Sequence, residues 1–195
     1  MTRPSSALEV GDRVFLRVPT ARDRDELLEL TRASKRLHSP WLTAPATPDA
    51  FTAWLRRTHD ARAGSFLVCL NDGEAIVGVF NLSEIVRGPF KSGYTGYWAH
   101  AAHAGKGYMS EGLGLLLRHA FRTLRLHRLE ANIQPGNARS IALVRRAGFR
   151  LEGLSPRYLK IGGRWRDHER WAITVEDWRA PGAAPARRRS SQPHG

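Results

Sequence analysis

A chain of 195 residues with a hydrophobic fraction of 42% and six tryptophans is long enough, and apolar enough, to fold around one core as a globular protein. No stretch approaches the roughly 20 apolar residues of a membrane span. The start, MTRPSSALEVGDR, lacks the apolar segment of a secretory leader, and a lone Cys69 excludes an internal disulfide and a cysteine-built metal site, so a cytoplasmic protein is expected. The formal charge of +13 favours polyanions in general, whether nucleic acid, a ribosome surface or a phosphate-rich cofactor. No zinc finger, aromatic RNA-binding signature or regular basic helix marks a dedicated nucleic-acid module, and the eight histidines show no paired metal spacing.

In chain order, VFLRV (Val14–Val18) reads as a first strand. Thr20 then precedes an amphipathic helix carrying Leu27, Leu28 and Leu30. The prolines of LHSPWLTAPATP (37–48) predict a loop, and Thr47 or Asp49 is placed to cap a helix with Phe51, Trp54 and Leu55 on one face. Phe66–Leu70 is a short apolar strand, NDGE a hairpin turn, AIVGVFNLSEIV the return strand, and GYTGYWAH (93–100) a further one. Next come the loop and helix HAGKGYMSEGLGLLLRHAF (103–121), a strand at 126–134, and a helix with Ile141, Leu143 and Val144 that stops at Ala147-Gly148. Two or more strands follow, turning at Gly162-Gly163. Residues 1–178 therefore read as one α/β (α+β) domain, and 179–195, rich in Pro, Ala, Ser and Arg, as a basic disordered tail.

The glycine loop carries the chemistry. Leu113, Leu116, Leu117, Ala120 and Phe121 form a helical stripe that fixes the helix on a sheet, so its unpaired first-turn amides point outward from a set position. Gly105 and Gly107 let a ligand approach the backbone, and Lys106 adds charge: an anion site. The Walker spacing is absent, and Ser110 stands where a dinucleotide fingerprint needs its third glycine.

Six motifs in order extend this reading: Pro40-Trp41, Gly96-Tyr97-Trp98, Gly105-Lys106-Gly107-Tyr108-Met109, Asn137-Ala138-Arg139-Ser140, Gly148-Phe149 with Glu152-Gly153, and Trp165-Arg166-Asp167. Together, from Val14 to Val175, they resemble the GNAT superfamily of acetyl-CoA-dependent N-acetyltransferases, and more narrowly its RimJ/RimL-type, ribosomal-protein-alanine branch. The resemblance implies a GNAT fold: a central mixed, mostly antiparallel twisted sheet with splayed middle strands, flanked by helices. It implies that the backbone of Trp98, Ala99 and His100 pairs with the pantetheine of acetyl-CoA. The amides of His103, Ala104, Gly105, Lys106, Gly107, Tyr108 and Met109 would hold the pyrophosphate, Asn137 would reach the pantetheine arm, and Ser140 would serve the thioester sulfur. Pro40, Trp41 and Trp165 would line the acceptor side.

Direct acetyl transfer needs an uncharged amine, a donor to the thioester oxygen and a proton or hydrogen bond for the leaving thiolate. By resemblance, Ser140 is the candidate at sulfur and the backbone near Ala99 the oxyanion donor. The base departs from related enzymes: Asn132 stands where a glutamate often does, Val144 where a tyrosine acid does, and Leu159 near a third candidate position. Asn132 orienting a water, Glu84, His100 and Glu152 remain open. An N-terminal amine, with an ordinary pKa of about 7.7 to 8.0 against about 10.4 for lysine, needs the least help. The expected function is acetylation of a protein N-terminal α-amine, such as that of a ribosomal protein, by a monomer or homodimer without a metal. The alternatives are a small-molecule amine acetyltransferase, acting on an antibiotic or toxin, and a non-catalytic CoA-binding protein.

Overall fold

The computed structural model describes residues 6–178, so the expected tail, 179–195, lies outside the described residues. Eight strands form one sheet: β1 (Ala7–Val10), β2 (Val14–Arg17), β3 (Gly64–Leu70), β4 (Ile76–Val86), β5 (Ser92–Ala99), β6 (Arg128–Ile133), β7 (Arg150–Ile161) and β8 (Arg164–Thr174). They lie in the order β1-β2-β3-β4-β5-β6-β8-β7. Every neighbouring pair is antiparallel except β5–β6. This is the mixed, mostly antiparallel sheet that the family resemblance implies.

Helices cover both faces, as strands buried on two sides require. On one face, α1 (Arg24–Ala33) and α3 (Pro48–Arg57) set Leu27, Leu28, Phe51 and Trp54 against Phe15, Leu67, Cys69 and Val79. On the other, α4 (Tyr108–Arg118) and α5 (Ala138–Arg146) bury Leu113, Leu116 and Val144 against Val68, Phe80, Leu129 and Ile173. Their N-termini follow the expected capping chemistry. Thr20 forms a capping box with Asp23 ahead of α1, Thr47 accepts from Ala50 N at α3, and Asn137 accepts from Ser140 N at α5.

Two segments differ from the sequence reading. A strand precedes the expected first one: β1, whose four residues are all half-buried and so lack the inward–outward alternation that marks β2. The 37–48 loop is preceded and overlapped by a helical turn, α2 (Lys35–His38), pinned because His38 is buried beneath β5. The hairpin expected at Gly162-Gly163 joins β7 to β8. Since β6 pairs with β8 only as far as Glu169, the distal part of β7–β8 continues past the sheet as a two-stranded ribbon.

Candidate active site

The site begins where β5 and β6 part. Their parallel register runs Ser92↔Arg128, Gly93↔Leu129, Tyr94↔Glu130 and then stops, although β5 continues to Ala99 and β6 to Ile133. A wedge opens with β5 on one wall and β6 and the start of α5 on the other. On the two strands that part, two buried polar atoms have no hydrogen-bond partner among the described residues: Thr95 Oγ1 on β5 and, on the opposite face of the sheet, Asn132 Oδ1 on β6. Such orphans are rare in a folded interior, and each is open to a hydrogen bond from a bound molecule.

The end of β5 is oriented from one side only. His100 N donates to Val77 O at 2.8 Å, so by strand alternation the N–H of Ala99 points away from β4, towards the wedge. The carbonyl of Ala99 accepts from His38 Nε2 at 2.9 Å. An available N–H beside an occupied C=O suits an oxygen that gains negative charge.

Beyond β5, a turn at Ala101–His103 leads into the glycine loop and α4. Gly105 and Gly107 have φ of 80° and 83°. Gly107 is the N-cap of α4 and no side chain caps this helix, which leaves its first-turn amides to an outside acceptor. The loop is exposed but not loose. Glu111 Oε1 accepts from Arg13 N (2.7 Å) and Val14 N, and its Oε2 from Arg13 Nε (3.0 Å). Arg13 Nη1 then donates to Lys106 O at 3.0 Å, and its guanidinium lies 5.0 Å over the Tyr108 ring. On the inner side, Met109 sulfur sits so close to Gly78 that a Cβ there would lie 2.3 Å from it, which brings the helix start down onto β4. These residues can hold a diphosphate: bare amides, Lys106 and Arg13 converge at one helix mouth.

His100 and His103 flank the loop with ring centroids 5.3 Å apart. Burial lowers both imidazole pKa values; His103 also lowers that of His100, and Lys106 that of His103.

The opposite wall carries Ser140 and Asn137. Asn137 spends Oδ1 on capping α5, leaving its Nδ2 for a ligand. Ser140 Oγ lies 2.6 Å from Tyr97 Oη, on the first wall. The Trp41 carbonyl accepts from Gln134 Nε2 at 3.1 Å, and its ring lies against Gly136, so the 37–48 loop is fastened to the β6–α5 turn beside Asn137. Pro40 is exposed next to it. Trp165 is 61% exposed, opposite Lys160 near the ribbon's end, and no described contact joins it to Trp41.

The candidate bases separate clearly. Glu84 pairs with Arg62, on the β3 side of β4, away from the wedge. Glu152 is gripped at both carboxylate oxygens by the two terminal nitrogens of Arg128, which hold its carboxyl below the usual range and leave neither oxygen free to take a proton. Leu129, Ala131 and Ile133 face α4 and α5, so alternation puts Asn132 and Glu130 together on the α1–α2 face. Glu130 is a residue that sequence reasoning missed. It is the last residue of β6 paired with β5, it accepts from Arg128 Nε at 3.0 Å, and its side chain is 14% exposed. The pattern L-E-A-N-I already held the signal, since positions two apart share a face. The same face carries Tyr94, bonded to Tyr158 and pushed up to about 12 by that bond and by burial.

A sheet opened between two parallel strands, with an uncapped helix start beside the opening, is here the fold of an acyltransferase. The chain belongs to the acetyltransferase (GNAT) domain family, whose model matches residues 13–150. It is 34% identical over 175 residues to the [ribosomal protein uS5]-alanine N-acetyltransferase of Escherichia coli strain K12, covering 86% of this chain and 90% of that protein. Among solved structures it is similar to Mycobacterium smegmatis RimJ in complex with CoA-disulfide, with TM-score 0.77, 31% identity, and 84% and 82% of the two chains covered. The ribosomal-protein-S5-alanine acetyltransferase from Vibrio fischeri superposes with TM-score 0.76 at 26% identity over 87% of this chain and 97% of that one.

Proposed function

We propose that the protein transfers acetyl from acetyl-CoA to the N-terminal α-amine of a protein in the cytoplasm, with a ribosomal protein as the class of acceptor. The observation that carries the donor half is the wedge: two diverging strands that carry orphaned polar atoms, and bare amides at its mouth. Likeness to uS5-alanine acetyltransferases supports the acceptor half.

On this reading the diphosphate sits on the amides of the 103–109 loop, and the thioester arm runs between β5 and β6. The N–H of Ala99 stabilises the oxygen of the tetrahedral intermediate, and Ser140 donates to the departing sulfur. The amine arrives from the α1–α2 face, past Pro40 and Trp41, where Glu130, held by Arg128 through one oxygen only, attracts the ammonium and takes its proton on the other. Asn132 Oδ1 accepts a hydrogen bond from the nitrogen and orients its lone pair.

The test is thiol release from acetyl-CoA in the presence of peptides beginning Ala, Ser or Met, the same peptides with blocked N-termini, spermidine and amine antibiotics. Turnover of free Ala-initiated peptides and silence of the blocked ones is expected. Faster turnover of a polyamine or drug would refute the assignment of acceptor. Glu130→Gln is expected to lower kcat/KM for the peptide about a hundredfold; an unchanged value removes Glu130 as the base.

A further inference from the structure

The hydroxyl of Tyr97 crosses the wedge to Ser140, joining the splayed part of β5 to the first turn of α5. Tyr97 lies three positions beyond the last paired residue of β5, and its ring packs against Phe80 with centroids 5.4 Å apart. Its hydroxyl is 2.6 Å from Ser140 Oγ and 3.3 Å from the Ser140 carbonyl. Ser140 is itself fixed from behind, its N–H donating to Asn137 Oδ1 at 3.2 Å.

We propose that Tyr97 is the positioning residue of the sulfur-side donor: its phenol O–H donates to Ser140 Oγ and so leaves the serine's own hydrogen aimed into the wedge, at the thioester sulfur. The inference rests on the reading of Ser140 as that donor. A serine hydroxyl has one hydrogen. Given to Tyr97, it leaves the sulfur with nothing; held by an incoming bond from Tyr97, it is free to turn towards the charge that builds as the C–S electron pair settles on sulfur. The phenol is the stronger donor of the two, and its bond to Oγ is much shorter than its alternative contact with the carbonyl. A donor that itself receives a hydrogen bond is polarised further. Burial pushes the Tyr97 hydroxyl up to about 12, so it stays protonated across the neutral range. The sequence shows the motif Gly96-Tyr97-Trp98, but only the fold turns this tyrosine towards Ser140 and its neighbour Trp98 towards Trp54.

The experiment compares Tyr97→Phe, Ser140→Ala and the double variant, in acetyl transfer to an Ala-initiated peptide and in uncoupled hydrolysis of acetyl-CoA. Hydrolysis also breaks the C–S bond and does not depend on the right acceptor. Tyr97→Phe keeps the ring against Phe80 and is expected to lower kcat about tenfold with KM for acetyl-CoA unchanged. The double variant should be no slower than Ser140→Ala alone, because Tyr97 acts only through that hydroxyl. Incorporating 3-fluorotyrosine at 97 restores the rate, and its fluorine signal shifts when Ser140 becomes alanine. A Tyr97→Phe enzyme with the wild-type kcat, a loss confined to KM, or effects that multiply in the double variant would overturn the proposal and leave the role of Ser140 standing. A Ser140→Ala enzyme at full rate would overturn both.

Discussion

At the scale of single residues, the site depends on backbone groups that side chains must not obstruct. Gly107 combines a φ of 83° with a Cβ position 3.2 Å from Arg13 Nη2, so any substituent is strained and also presses on the guanidinium that ties the loop to β2. Gly107→Ala is expected to cost about 1 kcal/mol of folding stability and, by tilting the first-turn amides, to weaken coenzyme A binding at least tenfold by calorimetry. Binding at wild-type strength would show that these amides do not hold the diphosphate. A second residue sets the acid limit of the fold. His119 is buried against Phe66, and burial lowers its pKa despite Glu9 nearby. The unfolded chain takes up that proton below about pH 6.5 while the folded chain resists until lower pH. In that window the unfolded state binds more protons, so stability falls as pH falls. His119→Phe should flatten the decline in melting temperature between pH 7 and pH 5; His100 and His103, shifted the same way, supply the remainder.

At the scale of elements, α4 is an anchor before it is a binding site. Leu113 and Leu116 are fully buried, and the amides at its start are only as fixed as this face. Leu116→Ala is expected to cost about 3 kcal/mol in chemical denaturation and to weaken coenzyme A binding as well, because the helix mouth loosens with its seat. The stripe that sets this helix was plain in the sequence, as were the caps Thr20 and Thr47 and the turns at NDGE and Gly162-Gly163, because each depends on neighbours within a few positions. What long-range pairing decides was not plain. β1 shows no alternation of its own and exists as a strand only against β2. The clamp of Arg13 on Glu111 joins residues 98 positions apart, and the Tyr97–Ser140 bond joins residues 43 apart. Glu130 was hidden differently: its alternation with Asn132 was visible, but the point where β5 leaves β6, which gives that face its meaning, is a property of the sheet.

At the scale of the whole molecule, the sheet consists of five strands and three strands joined by the single parallel seam. If the donor lies along that seam, coenzyme A should raise the melting temperature in proportion to the logarithm of its concentration, as any ligand selective for the folded state does. It should also protect the β5–α4 and β6–α5 connections from proteolysis. A melting temperature that ignores coenzyme A would place its binding elsewhere. The strong basic balance does not select the acceptor, since it favours polyanions in general.

Only three register pairs of backbone join the two leaves of the sheet along the seam. A book with so short a spine leaves most of its gutter open, and here the core shared beneath α4 and α5 and the Tyr97–Ser140 bond hold the covers at a set angle. Lengthening the spine by even one register pair would narrow the gutter and trap the spent thiol, so turnover in such a variant should become limited by escape of the used carrier rather than by chemistry.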